Sequence, residues 1–164
     1  MIILDGKKTS NDIKCEIAEE VKKITESGNR PPHLAAVIVG SDGASLTYVG
    51  SKVKACEKVG YESTLIKLPD ETTEDELLNQ VEELNKNDSI DGYIVQLPLP
   101  SHIDTQTILM AVDPDKDVDG FHPTNFGKMS LNLPTFISAT PSGIIELLKR
   151  YKVQKKKKNT VVLG

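Results

Sequence analysis

Tryptophan is absent from this 164-residue chain, and aromatic residues make up only 4% of it. A buried core must therefore rest on Val, Ile, Leu and Ala. Cysteine is scarce too. Cys15 and Cys56 stand far apart and in no C-x-x-C, which supports neither a disulfide scaffold nor a zinc site. His33, His102 and His122 lack metal-ligand spacing, and each adjoins a turn, so we assign them surface or structural roles and expect no metal. No apolar run approaches the ~18 residues of a membrane span, and the opening MIILDGKKTS lacks the shape of a signal peptide. The expectation is a cytoplasmic protein with no membrane partner. A basic surplus is missing as well: 20 Lys and Arg stand against 24 Asp and Glu, for a net charge of −4. That argues against a nucleic-acid partner, which usually selects for a basic face.

What is present is an alternation of short apolar runs and helical stripes. The composition, 38% hydrophobic and 27% charged, is that of an ordinary globular protein. Leu34–Val39, Ser63–Leu68 and Asp91–Leu97 read as buried strands, with centres roughly 30 residues apart, about one βαβ unit. Between them Leu46, Val49, Val53 and Cys56, then Leu77, Val81 and Leu84, recur at helical spacing. Ile13, Ile17, Val21 and Ile24 make an earlier amphipathic helix, closed by Gly28 and Pro31-Pro32. Ile2–Leu4 reads as a short edge strand. This rhythm predicts an α/β fold, a mostly parallel sheet flanked by helices in three layers.

After Gln96 the texture changes. A Pro-rich loop and a short helix after Asp104 lead into an irregular stretch, DPDKDVDGFHPTNFGK. Thr140-Pro141 then reads as a cap and first-turn proline, opening a helix with Ile144, Leu148 and Tyr151 on its apolar face. A basic run, Lys155–Lys158, precedes Thr160–Leu163, which reads as a new strand. The expected division is a first domain over 1–139, a connecting helix and basic linker over 140–159, and the first strand of a further domain over 160–164.

Three constellations could carry chemistry. Tyr48 and Lys52 stand i,i+4 on one helix face, either an acid/base pair or a helix-edge Tyr beside a snorkelling Lys. Short-chain dehydrogenases share Y-x-x-x-K, but they need a Gly-rich phosphate loop that Val39–Gly43 does not provide. Gln96 ends a strand, where open α/β sheets bind ligands; it reads equally as a loop residue bonding its own backbone. Asp115, Asp117, Asp119 and Gly120 match the opening of a calcium loop, but the closing ligand position is Phe126 and Pro123 interrupts the loop, so calcium is rejected. A solvated acidic turn, or one Asp reaching a polar ligand, remains.

In combination these residues resemble the bifunctional methylenetetrahydrofolate dehydrogenase/methenyltetrahydrofolate cyclohydrolase family. The resemblance runs through Leu4-Asp5-Gly6-Lys7 and Val39-Gly40-x-x-x-Ala44-Ser45-x-x-Tyr48-Val49-x-x-Lys52-x-Lys54-Ala55. It continues through Gly92-x-x-Val95-Gln96-Leu97-Pro98-Leu99-Pro100 and Pro114-x-Lys116-Asp117-Val118-Asp119-Gly120-Phe121-His122-x-x-Asn125-x-Gly127. Thr140-Pro141-x-Gly143 follows, and Val161-Val162-Leu163-Gly164 resembles the first strand of the family's NADP-binding Rossmann-type domain. Ser138-Ala139 stands where the family often has Pro-Cys.

The resemblance implies that Lys52 is the central catalytic residue, that Gln96 orients its amine, and that Tyr48 stacks on or hydrogen-bonds the folate. It makes Asp119 the acceptor for the pterin edge, and Leu97 and Pro98 further substrate contacts. It places the start of the NADP site at Gly164, with the rest of that domain missing. It implies tetrahydrofolate substrates and a homodimer of the full-length protein. The rival expectation is a non-catalytic folate-binding module.

Overall fold

The structure, a computed structural model, describes residues 3–154, 158, 159 and 161. Its centre is β1 (His33–Val39), flanked by β2 (Glu62–Leu68) and β3 (Gly92–Val95), all parallel, in the order β2-β1-β3. The register sets Ala35 opposite both Thr64 and Tyr93. As the middle strand of a sheet covered on both faces, β1 is apolar on both, and Ala35 through Val39 are all buried.

On one face Ala35, Val37, Val39, Tyr93 and Val95 meet Leu77, Val81 and Leu84 of α3 (Glu74–Lys86) and Ile108 of α4 (Thr105–Ala111). On the other, Ala36, Ile38 and Ile94 meet Val49 of α2 (Gly43–Val59). The long α1 (Gly6–Glu26) packs outside α2. Each fully buried Leu, Ile or Val contributes about 1.5–3 kcal/mol of transfer free energy. The expected three-layer α/β arrangement is the observed one.

Local chemistry sets the helix limits. Asp5, Asp42 and Asp104 cap α1, α2 and α4 by accepting the backbone N–H of Lys8, Ser45 and Thr107. Thr73 and Glu76 form a reciprocal capping box at α3. The α2 helix ends at Gly60, whose φ of 81° an L side chain rarely adopts.

Several details differ from the sequence reading. β3 is shorter than Asp91–Leu97. The Gln96 N–H still donates to the Val37 carbonyl at 2.9 Å, but the chain then enters a cis Leu97-Pro98 peptide, and a proline has no N–H for the ladder. Ile3 and Leu4 pair with no strand among the described residues; Ile2 lies outside them.

The stretch expected to be irregular contains a helix, α5 (Pro123–Ser130), with Pro123 in its first turn and His122 as cap. It also lays Asp117 beside Tyr93 as a parallel bridge on the outer edge of β3. The last helix, α6 (Ala139–Arg150), starts one residue before Thr140 and takes Ser138 as its cap. Thr140 and Pro141 therefore lie inside its first turn, where a missing N–H costs nothing. α6 packs back on α1, where Arg150 grips Glu16 through two bonds of 2.6 Å. Most of the expected strand over Thr160–Leu163 and most of the Lys155–Lys158 run lie outside the described residues.

Candidate active site

The three parallel strands end on the same side of the sheet, and the chain leaves them at Gly40, Pro69 and Gln96. A cleft of about 200 Å³ opens there, lined by Tyr48, Lys52, Val95, Gln96, Leu97, Asp119, Phe121 and the first residues of α6. The carboxyl edge of a parallel sheet is where such folds present ligand-binding groups.

Tyr48 and Lys52 reach it because α2 buries Val49 against the sheet, which turns the neighbouring i,i+4 face to the rim. The Lys52 amine stands 4.7 Å from the centre of the Tyr48 ring, in cation–π range. Asp119 arrives from the other side. Asp117 bridges Tyr93, and the chain turns directly after it, the Gly120 N–H donating to the Asp117 carbonyl at 3.3 Å, with Asp119 in that turn. Its Oδ1 lies 3.9 Å from Lys52 Nζ, with the two side chains 23% and 26% exposed.

That pair is the electrostatic centre of the site. Burial lowers the Lys52 pKa, and the Asp119 charge opposes the effect. Burial also raises the Asp119 pKa; Lys52 opposes this, while the nearby Asp117 charge adds to it. At 3.9 Å the attraction does not cancel the cost of leaving water, so both groups are pressed toward their neutral forms. Lys52 also lines a separate hollow of about 520 Å³, walled largely by Ile13, Ile17, Leu34, Cys56, Val59 and Leu147.

Gln96 sits at the strand end, and its amide donates to the Leu97 carbonyl at 2.6 Å. It makes no direct hydrogen bond to Lys52, so its amide is in the cleft but turned to its own backbone. Leu97 lines the cleft; Pro98 does not. Gly164, expected to open the cofactor site, lies outside the described residues. Three histidines take structural positions. His33 bonds Ser89 and Thr64, His102 bonds the Thr72 carbonyl, and His122 Nδ1 accepts the Thr124 N–H. No cluster of three potential metal ligands occurs among the described residues.

The sequence reading did not foresee the Lys52–Asp119 pair, since the two are far apart in the chain and no local spacing joins them. It also passed over Phe121, which is 44% exposed at the cleft, and Ser138, Ala139 and Thr140 at its far wall. An aromatic side chain directly after Asp119-Gly120 was the available signal.

Comparison with known proteins shows the family and the fold. Residues 4–119 match the family described as tetrahydrofolate dehydrogenase/cyclohydrolase, catalytic domain. The bifunctional protein FolD of Flavobacterium psychrophilum is 68% identical over 164 residues, all of this chain and 56% of that protein. The Porphyromonas gingivalis FolD is 59% identical over 162 residues, 99% of this chain and 55% of that protein. The chain thus spans little more than half the length of these relatives. Among solved structures, the FolD methylenetetrahydrofolate dehydrogenase/cyclohydrolase of Campylobacter jejuni superposes with a TM-score of 0.90 at 44% identity, covering 93% of this chain and 54% of that one. The Trypanosoma brucei enzyme, solved with NADP cofactor and an inhibitor, gives 0.88 at 32% identity, covering 93% and 52%. No described helix is long and apolar enough to cross a membrane.

Proposed function

The chain belongs to the tetrahydrofolate dehydrogenase/cyclohydrolase family, and from that membership we propose that it is the folate-binding part of an enzyme interconverting one-carbon tetrahydrofolates. The reactions are NADP-dependent oxidation of 5,10-methylenetetrahydrofolate to the methenyl form and hydrolysis of that form to 10-formyltetrahydrofolate. The observation that carries the reading is the meeting of Tyr48, Lys52, Gln96 and Asp119, from separate chain segments, in one cleft at the carboxyl edge of the sheet.

Each side chain suits a part of that substrate. Asp119 is an acceptor for the amino and ring N–H donors of the pterin edge. Tyr48 offers an exposed aromatic face to a flat ring. In the hydrolytic step water adds to the methenyl carbon and the ring opens at one nitrogen. A neutral Lys52 amine takes the proton from the attacking water and returns it to the departing nitrogen, and the remaining hydroxyl proton of the adduct passes to solvent as the formyl C=O forms and the C–N bond breaks. An amine can do this near neutrality only if its pKa is depressed, as burial does here. Gln96 holds a polar contact at the cleft without adding charge that would oppose the depression.

NADP is the oxidant of the proposed dehydrogenase reaction, and this reading does not place its diphosphate at the turn after β1. The glycine-bearing turn at Gly40–Gly43 is closed by Asp42, whose carboxylate accepts the Ser45 N–H at 2.7 Å and occupies the helix N-terminus with negative charge. A diphosphate would be repelled there. The part of this chain in that reaction is to hold the folate. The same reading divides the chain at residues 139 and 159, assigns 160–164 to the cofactor domain, and makes the complete protein a cytoplasmic homodimer.

The test is spectrophotometric, on the complete protein. Methenyltetrahydrofolate should lose its absorbance faster than in buffer, and methylenetetrahydrofolate should reduce NADP. Binding of folate with neither activity would establish the non-catalytic module instead.

A further inference from the structure

We propose that Asn125 is a positioning residue that fixes both walls of the cleft, one carrying Asp119 and the other the first residues of α6. The inference rests on the folate reading only for what the cleft holds. Asn125 is 1% exposed, on α5, outside the cleft lining. Its amide nitrogen donates to the Pro114 carbonyl at 2.8 Å and to Asp117 Oδ2 at 2.9 Å. Its amide oxygen accepts from the Thr135 hydroxyl at 2.7 Å. One side chain thereby joins three segments that no regular structure joins.

The Asp117 bond controls the first wall. Asp117 is 5% exposed, and the same Oδ2 also accepts the His122 N–H at 2.8 Å. Its backbone is held to β3 by the Tyr93 N–H, which donates to the Lys116 carbonyl at 3.0 Å. Asp119 lies between the two anchored residues, Asp117 and His122, so its carboxylate has little freedom to leave Lys52. The Thr135 bond controls the second wall, because Phe136 and Ile137 lead directly into Ser138, Ala139 and Thr140. The two walls also touch. Gly120, at φ +68°, lies so close to the second that a Cβ there would stand 2.8 Å from the Phe136 carbonyl oxygen.

A group that acts by holding Asp119 loses its influence when Asp119 is removed, whereas a group that only stabilises the fold does not. Folic acid affinity is therefore measured in the complete protein and in Asn125→Ala, each with and without Asp119→Ala. We expect Asn125→Ala to weaken binding about tenfold or more in the parent and severalfold less beside Asp119→Ala, where only the α6 wall still depends on it. A ligand-free readout accompanies it, the carboxyl NMR titration of Asp119, whose charged neighbours are Lys52 and Asp117. In Asn125→Ala that titration should move down toward an ordinary aspartate as the loop opens to water. Thr135→Val, which removes one bond and keeps the buried amide, should move both readouts in the same direction by a smaller amount, and it decides the matter if Asn125→Ala does not fold. A weakening of equal size in both backgrounds, or an unmoved Asp119 titration, overturns the proposal. If the parent binds no folic acid the folate reading fails, and the Asp119 titration alone decides this inference.

Discussion

Replacing Asp119 by Asn keeps its size and removes its charge, and the structure requires two separable consequences. The first is on binding. A hydrogen bond to a charged group is worth about 1.5–3 kcal/mol net, so the Michaelis constant for methenyltetrahydrofolate should rise roughly ten- to a hundredfold by the relation of about 1.4 kcal/mol per decade. The second is on the amine. At the 3.9 Å separation from Lys52, the Coulomb attraction is about 1 kcal/mol in bulk water and about 4 kcal/mol at an effective dielectric near ~20.

With both side chains about a quarter exposed, the true value lies between those limits. Burial lowers the Lys52 pKa, and Asp119 is the charge that opposes it. Without Asp119 the depression is unopposed, so the Lys52 pKa falls further. A lower amine pKa extends the free base to lower pH, and the acid limb of the hydrolysis rate moves the same way. The assay is the initial rate of methenyl absorbance loss across pH, with the uncatalysed rate subtracted, at substrate levels below and above saturation. An acid limb that stays in place or moves to higher pH, with an unchanged Michaelis constant, would refute the reasoning.

Two further outcomes test the frame around the site. Gly120→Ala places a side chain at φ +68° with its Cβ 2.8 Å from the Phe136 carbonyl oxygen. A left-handed non-glycine residue costs about 1–2 kcal/mol before any clash, so thermal melting should fall by several degrees and folate affinity should fall with it. A Gly120→Ala protein that melts at the parent's temperature would contradict the close approach. Arg30→Met breaks the bidentate pair with Asp91 at 2.6 and 2.9 Å, which chiefly lowers the Asp91 pKa. A depressed carboxyl contributes stability above its unfolded pKa of about 3.9 and loses it as pH falls through the folded value. The melting difference between Arg30→Met and the parent should therefore be present at neutral pH and vanish in strong acid; a difference independent of pH would count against the pairing.

The layers of the fold were legible because they depend on local pattern. Leu77, Val81 and Leu84 announce one side of α3, and the β1 run is too apolar for a strand with a wet face. The helix α5 was not legible. Its short run carries both a proline and a glycine and sits in an acidic, polar stretch, and it is held by the buried Asn125 bonds to Pro114, Asp117 and Thr135 and by the His122 cap, none of which a local pattern shows.

The candidate site divides along the same line. Tyr48 and Lys52 share a helix face, so spacing alone places them together. Asp119 faces Lys52 only because the 114–122 segment docks beside Tyr93, a contact between parts of the chain that no periodicity encodes. Gln96 shows the opposite case. Its strand-end position was readable, yet the hydrogen bond it makes, to the Leu97 carbonyl, follows from side-chain geometry that the sequence does not carry.

The central claim is that Lys52 moves the protons of folate hydrolysis, and it is tested most directly by the methenyltetrahydrofolate hydrolysis rate of Lys52→Met in the complete protein. Met keeps the unbranched stem that packs beside the apolar hollow and removes the amine. Losing a positioned acid/base group typically costs about 10²–10⁴ in rate, so the account predicts a fall of that size with folic acid affinity held within about tenfold. Hydrolysis by Lys52→Met at close to the parent rate would contradict it.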